Sequence, residues 1–216
     1  MLTSFVTVKE AISLIHENIC PLENENVLLA DSAGRIIKQR LLTDRPLPPF
    51  DRVMMDGFAI NSNAWLAGVH KYFVTGKQMA GSIGATINSQ DECVEVATGA
   101  PLPAETDSVV PIEWTSLVDG KIVIKPPAGT LVQSGQFVHR KGSDHSVNET
   151  LVDPGRILNP GEVAIAATCG YTELTVTRLP VVCILGTGDE LVPVESTPTP
   201  FQIRESNVHA LSSACL

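Results

Sequence analysis

The amino-acid sequence predicts an α+β, β-rich fold that turns to α/β in its last part. Three observations carry this. Glycine and proline are plentiful, at 16 and 15 of 216 residues, and long helices tolerate neither. Between about residues 50 and 130, short β-type runs alternate with glycines. At Leu179-Pro180 the pattern changes to one continuous apolar run and a glycine-marked loop.

Residues 7 to 18 read as a helix, because Thr7 and Glu10 have capping-box spacing and Val8, Ala11, Ile12 and Ile15 form one apolar face. Val27 to Ala30 reads as a short strand, with Asp31 capping the turn Ser32 to Arg35. Arg45-Pro46-Leu47-Pro48-Pro49-Phe50 excludes helix and reads as a linker into a second module. In that module Tyr72 to Thr75, Glu92 to Ala97, Ser108 to Ile112, Ser116 to Val118 and Lys121 to Ile124 read as strands. Asp119-Gly120 closes the last two as a hairpin, and the whole reads as a barrel or sandwich. Residues 151–158 suggest two strands around a Pro-Gly turn. Asn159-Pro160 opens a helix that Gly170 ends, and Thr172 to Thr177 is a strand. Val181 to Leu185 reads as a strand buried on both faces, with a helix starting near Ser206-Asn207.

The net charge of −9 gives no electrostatic footprint for nucleic acid, and no basic amphipathic stretch suits an anionic membrane. Five widely spaced cysteines without a C-x-x-C predict neither a disulfide framework nor a zinc site. With no secretory signal and no run long enough to span a bilayer, the expected compartment is the cytoplasm.

Four stretches can carry chemistry, and each has a bland reading beside the functional one. Asp51-Arg52-Val53-Met54-Met55-Asp56-Gly57-Phe58-Ala59 presents Asp56 at a turn, or is simply an Asx-type turn. Thr98-Gly99-Ala100-Pro101-Leu102-Pro103 is a stiff loop whose amides could hold a phosphate or a pterin-like ring, or is a plain connection. His139-Arg140-Lys141-Gly142-Ser143-Asp144-His145 is the densest cationic spot of the chain, suited to phosphate or carboxylate, or is a solvated turn. Gly186-Thr187-Gly188-Asp189-Glu190-Leu191 follows an apolar run, where open α/β sheets bind ligands. It lacks a third glycine and a Walker lysine, which removes dinucleotide and P-loop readings. Its two acids can hold Mg²⁺ against an anionic ligand, or stand solvated.

Taken in order, these stretches resemble one family, the molybdopterin molybdenumtransferases (bacterial MoeA and the E domain of gephyrin), over nearly the whole chain. The resemblance implies insertion of molybdate into adenylylated molybdopterin with release of AMP, a Mg²⁺ requirement and a homodimer, with contacts to other molybdenum cofactor biosynthesis proteins. It implies a split first domain at 1–44 and 136–178. An inserted β-barrel-like second domain follows at 45–135, and the beginning of an α/β molybdopterin-binding domain at 179–216. The cleft is expected between domain three of one subunit and domain two of the other. The family's catalytic acids fall on Asp56, Asp144 and Glu190, and the metal is expected at Asp189 and Glu190. Thr98, Gly99, Arg140, Lys141, Gly188 and Asn207 fall on its molybdopterin-binding positions.

Departures from the family pattern are Val53, Met54, Phe58, Glu105, Ser143 and His145, none of which removes an acid. The family's later motifs and its fourth domain are absent, so the chain is expected to be an incomplete portion, inactive alone. The alternatives are a non-catalytic dimerisation or scaffold module of the same fold, and a passive small-anion binding protein.

Overall fold

In the computed structural model, residues 6–82 and 84–215 are described, and they group into two compact units. The larger is Leu28–Leu174, and the other joins residues up to Val27 with those from Thr175 onward. Among the described residues no helix is long and apolar enough to cross a membrane.

The chain opens with α1 (Val8–Asn18), fixed locally as the spacing predicts: Thr7 Oγ1 accepts from the Glu10 amide at 3.3 Å and Glu10 returns a bond to the Thr7 amide at 2.7 Å. β1 (Asn24–Leu28) begins before the predicted Val27 and gives way to a 3₁₀ turn, Leu29–Asp31. Asp31 therefore lies inside that turn rather than capping the next one. β2 (Leu41–Leu42) and β3 (Arg52–Val53) bracket the proline-rich segment.

Next come β4 (Gly57–Ile60), α2 (Ser62–Leu66), β5 (Lys71–Gln78), β6 (Glu92–Val96), β7 (Ser108–Pro111), β8 (Thr115–Val118) and β9 (Lys121–Ile124). The strands β4 to β9 form one curled, half-barrel sheet in the order β7-β4-β6-β5-β9-β8. All pairings are antiparallel except β5 with β6. Asp119-Gly120 makes the β8–β9 turn, both residues at positive φ (51° and 75°), as a tight hairpin requires.

Side-chain alternation divides the core between the two faces of this sheet. Ala59, Val94, Val96 and Val109 pack on one face, together with Val53 of β3. Phe58, Ile60, Cys93 and Val110 pack on the other, with Tyr72 and Val132. β4 is buried at all four positions, which explains its unbroken apolar run. Gly57 is required there: a Cβ would overlap the Val110 carbonyl. Burial pushes the Cys93 thiol up to about 12, so this cysteine is an inert core residue.

β10 (Val138–His139) pairs antiparallel with β3, and β11 (Thr150–Val152) with β2. The predicted hairpin over 151–158 does not form, because each of its halves finds a partner elsewhere: β11 takes β2, and Ile157 bridges to Ile36. α3 (Pro160–Thr168) starts as predicted, with Asn159 Oδ1 accepting from the Gly161 and Glu162 amides at 2.7 and 3.2 Å. β12 (Glu173–Thr177) pairs with β1 and buries Leu174 and Val176.

Residues 181–185 are not a strand, and Val181 and Leu185 stand exposed. An apolar run becomes a buried parallel strand only where neighbouring strands take up its N–H and C=O groups. The described residues after it supply only the two-residue parallel pair β13 (Leu191–Val192) and β14 (Ile203–Arg204), then α4 (Asn207–Ala214).

Candidate functional site

β3 is the point on which three of the four flagged stretches converge. On one side it pairs with β10, matching Arg52 to His139 and Val53 to Val138. On the other it meets the 97–102 loop. The Val53 amide donates to Ala100 O, the Gly99 amide to Val53 O and the Leu102 amide to Asp51 O, each at 2.9 Å. Val53 is 1% exposed and faces the core, worth about 1.5–3 kcal/mol of burial. That buried side chain anchors two charged neighbours, Asp51 and Arg52.

Asp56 follows one turn later. Its Oδ1 accepts from the Thr98 amide at 2.7 Å and the Thr98 hydroxyl at 2.9 Å. The Thr98 amide, then its hydroxyl, hold the Asp56 carboxyl below the usual range. Among the described residues nothing donates to Asp56 Oδ2.

Asp144 is held in the same manner from the other side. The His139 ring Nε2 lies 2.7 Å from Asp144 Oδ1, and the Arg52 guanidinium lies 3.0 Å from His139 Nδ1. Ser143 Oγ is a distant second donor to the same oxygen, at 3.4 Å. Here too Oδ2 is unengaged among the described residues. The loop itself hangs on the proline-rich segment. The Gly142 amide donates to Pro48 O, and those of Asp144 and His145 to Leu47 O. Prolines lack an N–H, so this segment offers mainly acceptors and suits a loop that presents amides. Buried Thr43 adds a bond from its hydroxyl to Ser146 O at 2.6 Å.

Arg140 and Lys141 are not equivalent. The Arg140 guanidinium donates to Asp51 Oδ2 at 2.6 Å, and the Lys141 amide to Asp51 Oδ1 at 2.8 Å. Partial burial pushes the Asp51 carboxyl up, but the Lys141 amide, the Arg140 bond and both cationic charges together carry it below the usual range. The Lys141 ammonium has no ion pair among the described residues, so it is the open cation of the pair. A second acid, Glu149, accepts from His145 at 2.9 Å and from the Ser146 amide at 2.8 Å. Those bonds, the histidine's first, lower its carboxyl.

The 98–103 loop departs from its reading as a cradle of free amides. The Thr98, Gly99, Ala100 and Leu102 N–H groups are all bonded inside the protein, and Pro101 and Pro103 have none. Thr98 contributes by orienting Asp56.

The fourth stretch lies in the other unit. A cavity of about 360 Å³ is lined by Gly186, Thr187, Glu190, Arg204, Glu205 and Asn207, among others. Two carboxylates lie directly over the glycines of this loop. A Cβ at Gly188 would meet Glu190 Oε2 at 2.5 Å, and one at Gly186 would overlap the Glu205 carboxylate. The parallel pairing of β13 with β14 brings the two segments together, through the Ile203 amide to Glu190 O at 2.8 Å. Oxygen-only donors of this kind suit Mg²⁺, which takes one or two carboxylates and completes its shell with water and phosphate. Among the described residues no group of three or more His, Cys, Asp or Glu forms a full metal cage.

The structure thus places Asp56, Thr98, Gly99, Arg140, Lys141 and Asp144 on loops tied to β3, and Glu190 and Asn207 on the lining of the second cavity, whereas Gly188 and the exposed Asp189 are not among its lining residues. Sequence reasoning gave no role to Asp51, Arg52, His139 or Glu205. Asp51 and Arg52 were visible at the head of a flagged motif, and His139 at the head of another. The pairings between the two motifs, across 87 to 90 residues, were not.

Comparison with known proteins follows the same outline. A family model described as the MoeA N-terminal region, domain I and II, matches residues 6–170. A molybdopterin molybdenumtransferase of Synechocystis sp. is 32% identical over 95% of this chain and 52% of its own length. One of Staphylococcus epidermidis is 30% identical over 94% of this chain and 48% of its own. A solved molybdopterin biosynthesis MoeA protein of Pyrococcus horikoshii superposes with a TM-score of 0.81 at 26% identity, over 98% of this chain and 57% of that one. The chain spans about half the length of the curated relatives it matches.

Proposed function

The chain belongs to the family of the MoeA N-terminal region, domains I and II, and from that membership we propose that it supplies part of a molybdopterin molybdenumtransferase. The reaction is insertion of molybdate into adenylylated molybdopterin, with AMP released, in molybdenum cofactor biosynthesis. In this reading the protein works as a cytoplasmic homodimer. Its domains are 1–44 with 136–178, then 45–135, then the α/β portion from 179.

The observation that supports the reading best is the treatment of Asp56 and Asp144. Each is held by hydrogen bonds at one oxygen while the other stays open among the described residues, on loops tied to a single strand. A carboxylate fixed in this way suits binding through a cation, a water or a ligand hydroxyl. Facing molybdate directly, two carboxylates would repel it, so the Lys141 ammonium offsets their charge. The Arg140 guanidinium is neutralised by Asp51 and serves to hold the loop.

Glu190, Asp189 and Asn207 belong to the half-site that faces the nucleotide end of the substrate. Asp189 and Glu190 would hold Mg²⁺. Bound there, the ion supplies charge neutralisation for the phosphate being released. The absence of a side chain at Gly188 leaves the room that the Glu190 carboxylate occupies.

In the complete protein, Asp56→Ala or Glu190→Ala lowers molybdate-dependent AMP release by at least about tenfold, with far-ultraviolet circular dichroism unchanged. Full turnover in both variants would refute the assignment.

A further inference from the structure

We propose that His139 is a positioning residue, a neutral imidazole that links the guanidinium of Arg52 to the carboxylate of Asp144 and so fixes which oxygen of Asp144 is free for a ligand. The proposal rests on the reading of Asp144 as part of the molybdate site.

The direction of each bond follows from the chemistry of the partners. An arginine side chain has donors and no acceptor. At 3.0 Å from Arg52 Nη2, the His139 Nδ1 must therefore be the acceptor and carry no proton. A neutral ring then bears its proton on Nε2, which lies 2.7 Å from Asp144 Oδ1 and donates to it. Arg52 thus selects the tautomer that Asp144 needs. Chains of this kind polarise each bond along their length, so the cation on β3 reaches Asp144 through the ring.

The geometry is held by the backbone. Arg52 and His139 are direct partners in the β3–β10 pairing, so their side chains leave the same face of the ribbon. His139 is only 28% exposed at its side chain. Among the described residues Asp144 has no comparable alternative, since the other donor to its side chain, Ser143 Oγ, is 3.4 Å away. Without the ring the Asp144 carboxylate is free to rotate, although the Leu47 carbonyl still holds its amide.

The spectroscopic test uses the protein labelled with isotopic nitrogen at its histidines, five in this sequence. A long-range proton–nitrogen correlation at neutral pH should show His139 with a bare Nδ1 and a protonated Nε2. In Arg52→Ala the bare Nδ1 signature should be lost. A native ring protonated on Nδ1, alone or with Nε2, overturns the proposal, as does an unchanged spectrum in Arg52→Ala.

The functional test compares two replacements in the complete protein. In His139→Gln the side-chain amide can accept from Arg52 and donate to Asp144, so AMP release should stay within about threefold of native. His139→Ala does neither and should lose about tenfold to a hundredfold. Equal activity in His139→Ala and the native protein, or equal loss in His139→Gln and His139→Ala, overturns the positioning role. Failure of the native protein to release AMP overturns the functional reading instead, and the spectrum then still decides the tautomer.

Discussion

Thr98 donates both its amide and its hydroxyl to a single oxygen of Asp56, at 2.7 and 2.9 Å, across 42 residues of sequence. This relationship turns an ordinary-looking Asp-Gly turn into a fixed carboxylate with one open side. It also reassigns the Thr-Gly-Ala-Pro loop, whose Thr98, Gly99 and Ala100 amides are bonded inside the protein, to Asp56, Val53 and Ala97.

The first prediction concerns that pair. In Thr98→Val the hydroxyl bond is lost while the amide bond remains, so the Asp56 carboxyl should titrate closer to the usual range. A carboxyl-detected NMR titration measures this. An Asp56 titration identical to that of the native protein would contradict the account.

The second concerns Asp51 and pH. Its folded-state carboxyl lies below the unfolded value, so its contribution is fully present above the unfolded pKa, about 3.9, and is lost as pH falls through the lower, folded value. Asp51→Asn should therefore cost about 1 kcal/mol at neutral pH, a figure discounted for solvent screening. The gap between variant and native should close as the pH drops below about 4. Thermal unfolding across pH reads this directly, and a gap that widens in acid would count against the pairing.

The third concerns Gly57, where β4 and β7 run too close for any side chain. Gly57→Ala should destabilise the larger unit by about 2–3 kcal/mol, since the Val110 carbonyl is backbone and cannot step aside. Denaturant unfolding checks this. A loss within measurement error would show that the strands relax easily.

The fourth concerns the acidic loop. With Mg²⁺ and AMP at about 100 times the dissociation constant, the native protein should gain about 2.7 kcal/mol in stability, and Glu190→Ala should lose most of that gain. Thermal shift with and without the two ligands is the measurement. Equal shifts in both proteins would remove Glu190 from the site.

Elements encoded by neighbouring residues were legible in the sequence. The capping boxes at Thr7/Glu10 and Asn159/Glu162 span four residues each, and the Asp119-Gly120 turn spans two. Both partners of each such bond lie within one short window of sequence. The apolar run at 181–185 does not form the strand its composition predicts, because hydrophobicity marks a strand only when neighbours complete its hydrogen bonds. The hairpin expected at 151–158 failed for a related reason, since β2 outcompeted the local partner. For the site, motif order pointed to Asp56, Asp144 and Glu190. The tethers Asp51 and His139 depend on the β3–β10 pairing across 85 residues of sequence between Val53 and Val138, which no local pattern records.

The proposed function, with the cleft that the family resemblance implies, requires Asp56 of one subunit and Glu190 of another to serve one reaction. Mixing experiments test this most directly. Asp56→Ala and Glu190→Ala complete proteins, each nearly inactive, are unfolded together and refolded as mixed dimers. The account predicts that molybdate-dependent AMP release returns well above either variant alone, because one site per mixed dimer regains both carboxylates. Mixed dimers that form but stay as inactive as their parents would contradict it.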